Sequence, residues 1–122
     1  MQYRVQQPIH TLYSLYTLYS QLMSIDVYKK KEKTNRLFSI TDDLYTILVE
    51  GLIIDKLEKK TGILIDDIGT CRLSFQHLNV LLNLINAALK DNLIHSNKLV
   101  IEFINFLNKA IKNETDLDFV GD

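Results

Sequence analysis

Residues 41–62 read TDDLYTILVEGLIIDKLEKKTG, and no other stretch constrains the fold as tightly. Both ends carry helix signals. Thr41 can accept a hydrogen bond from the N–H groups of a first turn. Asp42 and Asp43 suit the positive end of a helix dipole, and Lys56, Lys59 and Lys60 suit the negative end. Gly62 stands where a left-handed residue closes a helix. Between these signals the apolar residues run nearly all the way round. Leu44, Ile47, Leu48, Leu52 and Ile54 lie on one side, and Val49, Ile53 and Leu57 on the other. A helix apolar on two sides must be covered from two sides, so the spacing predicts a helix at the centre of a bundle. Gly51 inside it costs roughly 1 kcal/mol against alanine and allows a close helix crossing.

Further helices follow from the same period. TLYSLYTLYSQLM, residues 11–23, follows a proline at position 8 that suits a first helical turn. On a wheel, Ile9, Leu12, Leu15, Tyr16, Tyr19, Leu22 and Met23 share one arc, and His10, Ser14, Thr17 and Gln21 lie opposite. Tyr16 and Tyr19 are therefore expected to be buried and Tyr13 partly exposed. A tyrosine ring buries while its hydroxyl reaches water, which suits a core boundary. A partner-binding ridge is the alternative. Ser74 caps a third strong helix with Leu78, Leu81, Leu82, Ile85, Ala88 and Leu89 inward. Ser96 is expected to cap a fourth, with Leu99, Phe103, Phe106, Leu107 and Ala110 inward. The expected fold is all-α: a single domain, residues 1–122, forming a bundle of four to six helices. There is room for a short hairpin from the flanks of residues 24–40, an extended piece within ILIDDIGTCRL, and a terminal strand from Leu117 and Phe119.

Composition sharpens these limits. The chain has 122 residues, 47% hydrophobic and 24% charged, a globular balance rather than a disordered one. Only four glycines and one proline are present, which disfavours an all-β fold rich in turns. The net charge of −1 gives no global field for nucleic acid. Cys71 is the only cysteine, so no intrachain disulfide forms, and a reducing compartment is the simplest setting. The opening MQYRVQQPIH lacks the apolar region of a signal peptide, and no apolar run is long enough to span a membrane. These features predict a cytoplasmic protein.

Motifs for chemistry are sparse. His10, His77 and His95 show no metal-ligand spacing, so no metal or other cofactor is expected. Cys71 and His77 lie six residues apart, without further support for a nucleophile and base. No glycine-rich phosphate loop is present. These patterns predict no enzymatic activity. Lys29–Arg36, KKKEKTNR, is a charge run without an apolar face, and Asn79, Asn83, Asn86 and Lys90 form a polar strip. Together they are the basis for a nucleic-acid regulator as the runner-up reading. An oligomeric module built on the tyrosines is a third.

The acids are more suggestive. Asp66 and Asp67, then Glu114, Asp116 and Asp118, cluster outside the strong helices, where neither capping nor core packing accounts for them in the sequence. Such clusters on loops and tails predict an acidic surface for a basic protein partner. In whole-chain character the sequence resembles the small immunity proteins of bacterial toxin systems, including those of contact-dependent growth inhibition. It is short and helical in pattern, carries acid clusters on loops, and ends in DLDFVGD. The resemblance implies a protein that binds and occludes a cytotoxic domain, often a basic nuclease. No residue role transfers from it.

Overall fold

Four short segments alternate apolar with polar residues, and each forms a strand. β1 spans Ile25–Lys29, β2 Phe38–Ile40, β3 Thr70–Leu73 and β4 Leu117–Val120. All pairs are antiparallel, in the order β2-β1-β4-β3. The computed structural model describes residues 24–121, so the tyrosine-rich run and its predicted burial lie outside the described residues. The architecture corrects the all-α helical-bundle expectation: the chain is mixed α/β, with four described helices beside a four-stranded sheet.

The physical reasons for the difference lie in the strands. None exceeds five residues, so a period of two scarcely emerges from loop sequence. The sheet also needs little turn chemistry. Among the described residues only β1 and β2 form a hairpin, with Ile25 opposite Ile40 and Val27 opposite Phe38, as their flanking residues predicted. Helices make the other connections. The terminal strand is the least local: β4 sits between β1 and β3, with Phe119 opposite both Val27 and Cys71.

One sheet face supplies Ile25, Val27, Ile40, Leu73, Leu117 and Phe119 to a continuous core shared with the helices. Phe38 anchors β2 there, with its ring centroid 4.7 Å from Phe106 and 5.4 Å from Phe103.

The run 41–62 makes two helices, α1 (Asp42–Glu50) and α2 (Ile53–Thr61), instead of one. Thr41 accepts from the Leu44 N–H as expected, and Gly62 is left-handed with φ 78°. The break resolves the two-sided pattern. Leu44 and Leu48 are buried from α1, and Ile53, Ile54 and Leu57 from α2. On one straight helix these sets would lie on roughly opposite sides at 100° per residue. Gly51 is needed at the break because a Cβ there would collide with the Ile94 side chain. The next residue, Leu52, takes the left-handed conformation with φ 63°.

α3 (Phe75–Lys90) starts at the predicted cap, Ser74, whose Oγ accepts from the His77 N–H. α4 (Lys98–Lys112) is capped by Asn97 rather than Ser96, with Oδ1 3.0 Å from the Val100 nitrogen. Val100, Phe103, Leu107 and Ala110 are its buried residues. At its end the Glu114 N–H donates to Ile111 and the Thr115 N–H to Ala110, closing the helix with Glu114 left-handed. Among the described residues no helix is long and apolar enough to cross a membrane.

Candidate partner-binding surface

Four of the five predicted acids divide between the two ends of β4, and Asp118 lies within the strand. Asp116 and Glu114 precede the strand, while Asp66 and Asp67 lie beside Gly121 at its far end. A Cβ on Gly121 would stand 2.6 Å from the Asp67 carbonyl oxygen and 2.7 Å from that of Asp66. Four strand residues separate the groups by about 13 Å at 3.3 Å per residue. They do not form one patch.

Two of the five have structural work. Asp118 is buried, its side chain only 3% exposed, between the cross-strand neighbours Tyr28 and Arg72. Arg72 Nε donates to its Oδ1 at 2.6 Å and Nη2 to Oδ2 at 3.1 Å. The Lys31 N–H adds a third hydrogen bond at 3.1 Å. Arg72 above all, aided by that N–H, lowers the Asp118 pKa below the ordinary carboxylate value. Asp116 accepts from the Phe75 N–H at 3.0 Å and so satisfies the first turn of α3. Capping and ion pairing thus explain two acids whose sequence context offered no such explanation.

Glu114 is different. It is exposed, holds φ 51°, and puts a negative charge at the C-terminus of α4, where the dipole favours cations. A shallow hollow of about 300 Å³ adjoins it, lined by Phe75, Gln76, Asn79, Ile111, Lys112 and Glu114.

Asp66 and Asp67 sit on the loop from Gly62 to Gly69. Asp66 Oδ1 accepts from the Ile68 N–H, a local turn that fixes the loop. Tyr45 ties the loop to α1 by donating its hydroxyl to the Ile65 carbonyl at 3.1 Å. Gly121 completes the support, its N–H donating to Gly69 at 2.7 Å. Burial first, then a hydrogen bond to Asp66 and the charges of Asp66 and Asp42, raise the Asp67 pKa. Carboxylates from two separate segments therefore converge. Among the described residues neither Asp66 nor Asp67 forms an ion pair.

The same loop holds apolar side chains in water. Ile68 is 71% exposed and Leu64 42%. Neither exposure is legible in ILIDDIGTCRL, where the sequence points only to a short extended piece. The available signal was an isoleucine directly after a carboxylate pair and before glycine, where a plain loop would be polar.

Other candidates change meaning in the structure. Ion pairs partly neutralise the Lys29–Arg36 loop: Lys29 with Glu32, Lys30 with Asp116, and Arg36 with Asp26. Asn79, Asn83, Asn86 and Lys90 form an exposed strip on α3. Burial, helped by Asp118 and Asp66, pushes the Cys71 thiol up to about 11, so it stays protonated at neutral pH and is a poor nucleophile. Among the described residues no group of three or more metal-ligating side chains is gathered. No protein-family model matches the chain, and comparison with curated proteins and with solved structures returns no match.

Proposed function

We propose that this chain is a non-catalytic protein-binding inhibitor of the immunity type, which occupies a toxin domain in the cytoplasm through the loop from Gly62 to Gly69. The carrying observation is Ile68, 71% exposed beside the unneutralised pair Asp66 and Asp67 on a loop pinned at three points. An apolar anchor ringed by charge on a rigid support is the usual make-up of a protein interface centre. One acid of this loop stands where folding stability would not place it: Asp67 is held near Asp66 and Asp42. Its cost to the fold fits selection for binding. The partner surface expected is basic with an apolar recess.

The test starts with capture of partners from the source cell and their identification by mass spectrometry. The captured partner is then expressed alone and together with this chain. Growth arrest by the partner alone, relieved by co-expression, is the expected result. Absence of a stoichiometric partner, or a partner harmless by itself, contradicts the proposal.

A further inference from the structure

Among the described residues β3 forms one edge of the sheet. Backbone groups along an antiparallel strand turn alternately toward and away from the neighbouring strand. The hydrogen bond from Gly121 to the Gly69 carbonyl sets that alternation for β3. Gly69, Cys71 and Leu73 face β4, so the N–H and C=O groups of Thr70 and Arg72 face outward. Both residues are exposed. Among the described residues no hydrogen bond reaches those outward backbone groups.

The two sheet edges differ in charge. β2 is three residues long and follows the cationic Lys29–Arg36 loop. Charge beside a short strand protects an edge from pairing. β3 follows Asp66, Asp67 and the exposed Ile68, so its approach is acidic and apolar. An open edge offers main-chain hydrogen bonds to an extended peptide, and flanking side chains provide selectivity.

Building on the protein-binding reading above, we propose that the outer edge of β3 receives an extended segment of the partner protein as a fifth strand. That segment carries a Lys or Arg beside Asp66 and Asp67 and an apolar residue against Ile68. The backbone of Thr70 and Arg72 supplies the hydrogen bonds, while Arg72 keeps its side chain on Asp118.

The probe is a random seven-residue peptide library displayed on phage and selected on the immobilised full chain. Enriched peptides should alternate β-branched with polar residues and carry Lys or Arg toward one end. A synthetic peptide of the enriched sequence should slow amide exchange at Thr70 and Arg72 by about tenfold or more. Thr70→Pro removes an outward N–H without touching the bonds to β4. It should weaken peptide binding by about tenfold, or 1.4 kcal/mol, at an unchanged melting temperature. If Thr70→Pro does not fold, the exchange measurement decides. Lack of enrichment overturns the proposal, as does protection confined to other amides. Protection of the same amides by the chain's own association, without peptide, also overturns it. A captured cellular partner that leaves exchange at Thr70 and Arg72 unchanged overturns strand addition alone. Failure to capture any partner counts against the protein-binding reading instead.

Discussion

Asp118 and Arg72 share one ion pair but are unequally buried. Asp118 is covered, while the Arg72 side chain is 44% exposed. Replacing Arg72 with methionine leaves a buried carboxylate with one backbone donor, so it should destabilise the fold more than removing the carboxylate does, though less than breaking a fully buried pair because water reaches the arginine. Asp118→Asn keeps an acceptor for the Lys31 N–H and frees a cation that water can solvate, so it should cost only about 1 kcal/mol. Chemical denaturation of both variants checks that order. The pH dependence has a definite sign. The folded Asp118 pKa is lowered, so its contribution is complete above the unfolded value, about 3.9, and is lost as pH falls through the folded one. The stability gap between the native chain and Asp118→Asn should therefore close at strongly acid pH. Asp67 behaves oppositely. Its folded pKa is raised, so any stability from its protonation exists below the unfolded value and disappears as pH rises through the folded one. Asp67→Asn should stabilise the fold at pH 7, by under about 1 kcal/mol at this half-exposed site, and have little effect near pH 3. Melting curves at the two pH values test this.

Helix endings show how local signals and tertiary packing divide the work. Three described helices end with a non-glycine residue in the left-handed position: Leu52 after α1, Asn92 after α3 and Glu114 after α4. Only α2 uses glycine, at Gly62. Glu114→Gly should therefore stabilise the chain by about 1 kcal/mol, since glycine carries no Cβ penalty in that region, and the removed charge was at the unfavourable end of the dipole. Gly51→Ala should do the reverse. Its Cβ meets Ile94, and overpacking of this kind costs about 1–3 kcal/mol. Thermal unfolding distinguishes both from the native chain. The same positions show what could be read in advance. Thr41, Ser74 and Gly62 act as the local sequence predicts, because capping depends on neighbours within one turn. Locally Gly51 reads as a packing glycine inside one helix, yet the side chain it makes room for is Ile94, far along the chain. β3 and β4 were visible only as short extended pieces. Their pairing through Arg72 and Asp118 has no local signature. Asp66, Asp67 and Glu114 stood out in sequence as unexplained acids, whereas the exposure of Ile68 emerged only with the loop's geometry.

For the whole molecule, the last strand closes the sheet from its middle. β4 pairs on both sides and contributes Leu117 and Phe119 to the core. Phe119→Ala should cost about 3–5 kcal/mol, the range of a large aromatic removed from a packed interior. A dispensable tail would lose almost nothing, so a denaturant titration separates the two. This closure also positions the proposed binding surface, since Gly121 holds the loop carrying Asp66, Asp67 and Ile68. Function and folding should therefore separate cleanly there. The most direct measurement is titration calorimetry of the captured partner against the native chain, Ile68→Ala and Asp67→Asn, with melting temperatures recorded in parallel. Ile68→Ala should weaken binding by about 2 kcal/mol or more, roughly thirtyfold in Kd, while its melting temperature barely changes. Asp67→Asn should bind more weakly yet melt higher. Native-like affinity in both variants would contradict the claim that this loop is where the partner binds.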